Sequence, residues 1–448
     1  MARHPLPYED VSPWVSVPED LQPPLEADLD ADVVVIGAGY TGLSTALALR
    51  AQGADVAVLE QDFAGAGASG RNAGHLTPTI GKDVPTLLRL FGPERAGALV
   101  RFADDAVEHT EELIRKLEID CAYEATGNVL AGVHPKHAPR LRRAAHSART
   151  LGARVRFLSE GEMRERGLPP AFRCGVLEER GGTLDPGRYV RGLRRAALAA
   201  GVRLFERSAL ARLEDGPRVR AHTTGGVVTA DHAVLATNAY TPATGWKKRS
   251  VVPLRVSLFE TGPLGPERLT ALGWPGREGI YTAHEALESY HRTARGTIVG
   301  GSKIVRYAFG SRLPAGYDPG AFRAIESAFR ERFPSLRDVG IARFWGGWIA
   351  LTFDFLPVLG ATGAHGNVLY GLGYCGHGVA QATLTGAMLA ERIQGRELPW
   401  EAALRRRALS WPPEPLRWTA ARLLSGAIRV VDRRTDRQIR RGSDPELV

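Results

Sequence analysis

Residues 32–60, DVVVIGAGYTGLSTALALRAQGADVAVLE, constrain the fold more than any other part of the chain. Residues 33–36 form an unbroken apolar run, the pattern of a strand buried on both faces of a parallel sheet. Gly37, Gly39 and Gly42 follow as GxGxxG. The first permits a tight turn, the second lets a pyrophosphate approach the backbone, and the third lets a helix lie close on its strand. The spacing predicts that helix over 41–50, with its free N–H groups and positive dipole end directed at the pyrophosphate. A second strand over 55–59 delivers Glu60 eighteen residues after Gly42, where a carboxylate reaches ribose hydroxyls. The alternative is a βαβ unit with an empty turn; with the preceding strand, the helix, the second strand and the terminal acid all present, the stretch reads as a dinucleotide site. The uncharged run over 33–49 is too short, and its glycines too well placed for a turn, to be a membrane span.

At 448 residues the chain has room for two or three core-forming units, or for one interleaved pair of domains. Its three cysteines, Cys121, Cys174 and Cys375, lie far apart without metal-ligand spacing. That pattern fits a reducing compartment and not a disulfide framework. The first thirty residues carry prolines and acids but no apolar h-region, so no signal peptide is expected and the cytoplasm is the default location. The net charge of +9 would suit a polyanion, but eleven arginines against six acids over 401–448 account for five of those nine charges. Any attraction to nucleic acid or a membrane therefore resides in the tail.

Residues 1–30 are Pro-rich and are expected to run over the surface. After Glu60 comes QDFAGAGASGRNAGHLTPTIG, a small-residue loop carrying Ser69, Arg71, Asn72 and His75. Backbone can approach a ligand closely there, and Arg71 supplies charge. Amphipathic helix is expected over 84–117, broken near Gly92-Pro93. Short strands at 120–124, 128–133 and 155–158, with a basic helix over 136–149, read as an inserted α+β unit. His134, His137 and His146 lie there with no acids or cysteines at metal spacing and are read as ordinary packing or surface residues. From Gly181 the α/β rhythm resumes, with strands at 202–206, 208–213 and 227–235. The last runs into Thr237 and Asn238, as at the carboxyl edge of an open parallel sheet. Antiparallel strands are expected at 254–260, 280–282, 290–293 and 297–301, then a helix over 320–333. Near the end, strand 368–370, the glycine loop 371–378 and a helix to 393 repeat the opening logic. The tail, 412–441, contains PLRWTAARLLSGAIRVVDRR, an amphipathic helix with Trp418, Leu423, Leu424 and Ile428 among arginines. It is expected to dock on its own protein, with a membrane surface or a partner as the alternative.

Taken together, GAGYTGLSTALALRAQG, LEQ, GASGRNAGH, GGTLDPGRYVRGL, ATNAY, the WGG…TFDFLPVLG run and GYCGHGVA resemble the glycine/D-amino-acid oxidase (DAO) family of flavoproteins, from about Asp32 to Gly395. SGRNAGH followed by WGG looks most like its γ-glutamylputrescine oxidoreductase branch. The resemblance implies an α/β architecture in which a Rossmann-like FAD-binding domain (30–118, 181–245 and 341–398) interleaves with an α+β substrate domain on a mostly antiparallel sheet (119–180 and 246–340), followed by the basic helical tail (399–448). It also implies FAD as the cofactor. Gly37, Gly39, Tyr40, Thr41 and Gly42 would cradle the pyrophosphate, and Glu60 with Gln61 the adenosine ribose. Ser69, Arg71, Asn72, Ala73, Gly74, His75 and Gly347 would line the ribityl chain and ring. Leu210 corresponds to the position whose backbone meets adenine, and Thr237 and Asn238 lie close to the dinucleotide. Gly376, His377, Gly378 and Val379 would place backbone donors at the pyrimidine edge, where preorganised N–H groups stabilise developing negative charge.

Some relatives attach flavin through a cysteine after the W-rich strand, where this chain has Trp348, Ile349 and Ala350, and others through a histidine where it has Arg71. Non-covalent FAD is therefore expected, with His75 the remaining candidate for a link. A lysine that assists oxygen chemistry in monomeric sarcosine oxidases is replaced by Ile298, with Lys303 nearby, so oxidase and dehydrogenase both stay open. The implied reaction is oxidation of a primary or secondary amine or an amino acid, by hydride transfer to flavin N5 and hydrolysis of the imine, with oxygen or another electron acceptor. It needs orientation and desolvation more than a dedicated base. His377 and Tyr290 are the catalytic candidates. Tyr290, Arg292, Trp345 and Trp348 are the candidate substrate wall, the aromatics facing an amine and Arg292 a carboxylate. No metal and no nucleic-acid partner are expected. The rival readings are a flavin-dependent enzyme of transfer-RNA modification and an electron-transfer subunit docked to a membrane-linked partner through the tail.

Overall fold

The computed structural model describes residues 12–314, 316, 318–406 and 408–442; the opening 1–11 segment and the last six tail residues lie outside them. The strand Leu29–Ile36 runs up the middle of the first sheet. It pairs in parallel with Val227–Leu235 on one side and Val56–Leu59 on the other. Val368–Leu372 and Arg203–Phe205 extend the parallel array outward, and Val358–Thr362 closes one edge antiparallel. Val33 to Ile36 are almost wholly buried, as an apolar run covered by helices on both faces must be. The helices Tyr40–Ala51 and Gly378–Ile393 cross where a Cβ on Gly386 would stand 2.6 Å from Ser44 Cβ, so glycine there sets the closeness of the two backbones.

The second sheet has eight strands, in the order Ile341–Leu351, Val252–Thr261, Ile298–Ser302, Glu288–Arg292, Gly279–Thr282, Asn128–Gly132, Cys174–Glu178 and Val155–Leu158. All its pairings are antiparallel except that of Gly279–Thr282 with Asn128–Gly132. Its outer face packs on Pro319–Arg332 through an aromatic core of Phe172, Phe259, Phe322, Phe329, Phe333, Phe344 and Trp274. Three expectations are corrected. Residues 120–124 form no strand; only Glu124 bridges to Thr183. The sheet expected over 208–213 is confined to Arg212–Glu214. Ile341–Leu351, expected to begin the last dinucleotide-binding segment, pairs along its length with Val252–Thr261 and so belongs to the antiparallel sheet. Gly92, at φ 75 and ψ 170, kinks the stretch Val84–Lys116 at the expected place.

The tail helix, Leu416–Gly442, lies against the second sheet. Asp432 accepts the Glu285 and Ala286 amides, both at 3.0 Å. Asp436 meets Lys303 Nζ at 2.9 Å, Arg332 at 3.2 Å and His284 Nε2 at 3.3 Å. Glu288 completes the cluster, 2.6 Å from Lys303 and 2.9 Å from Arg332. Burial alone would raise the Glu288 carboxyl, but Arg332 and Lys303 outweigh it and hold it at about 2. Asp436 is likewise held well below the usual carboxylate range, burial being outweighed by its bonds to His284 and Lys303. His284, Glu288 and Asp436 stand close enough together to hold a metal ion, but the Lys303 ammonium and Arg332 guanidinium already supply the positive charge. Removing one carboxylate from such a buried cluster strands its cations. Asp436→Asn is expected to cost about 3 kcal/mol, read by chemical denaturation of the full chain.

Candidate active site

Two adjoining cavities occupy the junction of the sheets. The outer one, about 300 Å³, follows the carboxyl edge of the parallel sheet. Gly37, Gly39, Tyr40, Thr41, Glu60, Gln61, Ser69, Leu210, Thr237, Asn238 and Gly378 line it. The inner one, about 320 Å³, is bounded by Arg71, Ala73, His75, Gly347 and His377. Asn72, Trp348, Gly376 and Val379 border both, so the two communicate at the start of the Gly378–Ile393 helix.

The outer cavity has the form of a dinucleotide cradle. Gly37 sits at φ +103, which an L side chain rarely adopts, and a Cβ on Gly39 would press to 2.8 Å from Ser69 Oγ. Gly42 faces away from the cavity; a Cβ there would lie 1.9 Å from Gly37 O, which is the close helix-on-strand approach its position implies. Glu60 receives the Ala38 amide at 2.8 Å and the Asp62 amide at 3.1 Å. Burial nevertheless pushes its carboxyl up to about 7, against those two amides. Gly376, at φ +92, has nothing within 4 Å of a would-be Cβ, so a ligand can lie directly on its backbone. These features fit FAD.

The loop after Glu60 ties the cavities together. Arg71 donates to Ala66 O at 2.7 Å and Gly346 O at 3.1 Å. Asn72 donates to Ser69 O and accepts the Gly74 amide, both at 2.9 Å. Gly74, at φ +77, lies beneath the loop and not on the cavity wall. His75 Nδ1 lies 3.0 Å from Asn128 Oδ1, and the Asn128 amide nitrogen is committed to Leu76 O and Gly182 O. The oxygen therefore faces the ring, so His75 carries its proton on Nδ1, and Nε2 is buried without a hydrogen-bond partner. Burial lowers the pKa of His75 and takes that of His377 down to about 4. Both rings are neutral near pH 7. His377 Nδ1 is held 2.7 Å from Thr79 Oγ1.

Three of the four expected wall residues stand elsewhere. Tyr290 is buried among Phe172 and Phe333, with its hydroxyl 3.1 Å from Glu288. Arg292 donates to Trp274 O at 3.1 Å. Trp345 is fully buried, its indole donating to Arg71 O at 3.0 Å. The reason for the first two is strand parity. Side chains alternate between faces; Ser289 lines the cavity, whereas Tyr290 and Glu288 turn to the aromatic core and its ion cluster. Trp348 does reach both cavities. The wall is instead built by Val252, Leu254, Val256 and Leu258, together with Tyr281 and, from the tail helix, Ala421, Leu424, Ser425 and Ile428. The alternation through 252–258 was available in the sequence as a signal. The contribution of the tail was not, because nothing local says where a distant helix docks. Lys303, the lysine nearest the sarcosine-oxidase position, is spent in the ion cluster, and Ile298 is core.

An acid-tipped dinucleotide cleft that opens onto a largely apolar chamber between two sheets is the arrangement a flavin-dependent oxidoreductase needs. The chain belongs to the DAO family of FAD-dependent oxidoreductases, matched over residues 32–392. It is similar to γ-glutamylputrescine oxidoreductase of Escherichia coli (strain K12), 29% identical over 88% of this chain and 90% of that protein. It is also similar to the bifunctional transfer-RNA 5-methylaminomethyl-2-thiouridine biosynthesis protein MnmC of Paracidovorax citrulli (strain AAC00-1), 30% identical over 87% of this chain and 62% of that protein. Glycine oxidase from Geobacillus kaustophilus shares the fold, with a TM-score of 0.72 at 20% identity over 85% of this chain and 100% of that one. FAD is the cofactor of the family the chain belongs to.

Ribose hydroxyls donating to Glu60 would favour its ionised form, so binding must release the proton that this carboxyl holds below about pH 7. FAD affinity is therefore expected to rise with pH between about 5 and 7, by at most roughly tenfold per unit, and to flatten above. Quenching of FAD fluorescence on binding to apoprotein measures it, and Glu60→Gln is expected to remove the slope.

Proposed function

We propose that the protein oxidises a primary or secondary amine on an extended aliphatic chain and not an α-amino acid. The observation that carries this reading is the inner chamber itself. Its walls are largely aliphatic and aromatic, and its single arginine among the described lining residues, Arg71, already donates to two backbone carbonyls. An α-carboxylate entering there would give up its hydration without gaining a free bidentate partner. Among the described lining residues there is one acid, Glu285, 3.7 Å from Arg140. A second amino or amide group at the distal end of the substrate would find an acceptor there. The likeness to γ-glutamylputrescine oxidoreductase supports the same substrate shape.

When bound, FAD supplies the acceptor for the two electrons and hydrogen leaving the carbon next to nitrogen. In this reading Gly37, Gly39, Tyr40 and Thr41 hold the pyrophosphate, Glu60 and Gln61 the ribose, and Leu210 and Thr237 the adenosine end. Arg71, Asn72, Ala73, Gly347, Gly376 and Val379 frame the ring, and Leu254, Val256 and Trp348 exclude water beside it. The ring of His377, neutral near pH 7, adds no positive charge beside the incoming amine. Cys375, at the chamber wall, has its thiol pushed up to about 11 by burial and donates to Gly373 O at 3.1 Å. It is a poor nucleophile, which supports non-covalent FAD. The reading on transfer RNA is less well supported, since the match leaves more than a third of that bifunctional protein uncovered.

Anaerobic titration of the yellow holoenzyme tests the substrate class. Bleaching by diamines, acylated diamines or N-alkyl amines, with glycine and D-amino acids inert, is expected. The reverse order overturns the reading. Acid precipitation is expected to leave all the flavin in the supernatant; colour in the pellet would show a covalent link.

A further inference from the structure

Ten large apolar side chains are notably exposed among the described residues, and eight gather in one region. Leu409, Leu416, Leu423, Leu424, Val430 and Val431 belong to the tail itself. Phe353 packs on Trp411, and Phe309 sits in the turn whose Gly310 amide is bound by Glu414. On the tail helix, positions 416, 423 and 430 recur every seven residues, so these leucines and the valine form one outward stripe. Leu423 is 71% exposed.

The charges of the helix are sorted with equal clarity. Both acids in its described part, Asp432 and Asp436, turn inward and are paired with the protein. Arg422, Arg429, Arg433, Arg434 and Arg437 are all exposed. An apolar stripe on a helix whose exposed charges, among the described residues, are all cationic is complementary to the interface of an anionic bilayer, where leucine and valine enter the acyl boundary and arginines meet phosphate. Among the described residues no helix is long and apolar enough to cross a membrane, and an amphipathic helix with a basic polar face is suited to lie in the surface plane. Leu424 belongs to the patch and also to the wall of the inner chamber.

We propose that the outer face of the C-terminal helix seats the protein on an anionic lipid surface, with the rim of the inner chamber at that surface. Full-length holoenzyme is expected to float with vesicles of phosphatidylcholine containing about 30% phosphatidylglycerol, to ignore pure phosphatidylcholine, and to be released by salt well above physiological strength. Leu423→Glu with Val430→Glu is expected to abolish flotation. Joint replacement Arg433→Gln, Arg434→Gln and Arg437→Gln is expected to weaken it by about a hundredfold. None of these residues lines the chamber, so turnover of a water-soluble amine is expected to stay unchanged in each variant, which also shows that it folds. Wild-type protein that stays with the vesicle-free fraction, or that binds neutral and anionic vesicles alike, overturns the proposal. A solution dimer split by Leu423→Glu would assign the stripe to a second copy of this chain and overturn it equally.

Discussion

Everything at the junction of the two sheets depends on how the loop after Glu60 is held. It leaves the parallel sheet at its carboxyl edge and must present small residues to a ligand, which by itself would leave it floppy. Arg71 prevents this. Its guanidinium binds a carbonyl of its own loop and a carbonyl of Gly346 on the antiparallel sheet, while its own carbonyl takes the Trp345 indole. One residue thus bonds across the seam in both directions, and the outer and inner cavities meet where it does so. This also explains why Arg71 is unavailable to a substrate carboxylate. A side chain that positions the wall cannot at the same time be a recognition group.

A second constraint closes the far end of the chamber. The tail helix carries few acids, and the two in its described part are placed where the antiparallel sheet offers unpaired amides or buried cations. Buried charge of this kind adds little net stability over an apolar contact, but it specifies register strongly, because a shifted helix would strand Lys303 and Arg332. The consequence for the chamber is geometric. With Asp432 and Asp436 fixed, Ile428 and Leu424 have one place to stand.

The local features were legible from the sequence: the glycine turn, Glu60, the kink at Gly92, the second glycine loop and the helix after it. Each rests on backbone requirements that a few neighbouring residues settle. Parity and pairing were less legible. In a strand such as Glu288–Arg292 both faces are buried, one against the chamber and one against the aromatic core, so the residues give no polar–apolar alternation from which to choose a face. Tyr290 and Arg292 look like a substrate wall for that reason and turn out to face inward. Trp345 was misplaced differently, because a stretch rich in Trp and Gly reads the same whether it begins a dinucleotide segment or ends an antiparallel sheet, and only the partner strand Val252–Thr261 decides.

The region shared with the family ends at residue 392, yet the chamber is closed by residues from Trp411 to Ile428. Residues inside the matched region can account for the cofactor cleft and for the chamber wall nearest it. The wall farthest from the cleft is set by a helix outside that region. The two faces of this helix answer to different demands. The inner face lines the chamber and is locked by ion pairs and amide bonds; the outer face is apolar and cationic, although neither property helps the chain fold. Solvent would ordinarily select against a row of exposed leucine and valine. Its persistence beside five exposed arginines, on the helix whose other residues line an apolar chamber, is most simply understood if substrate access and attachment to a surface are properties of the same helix.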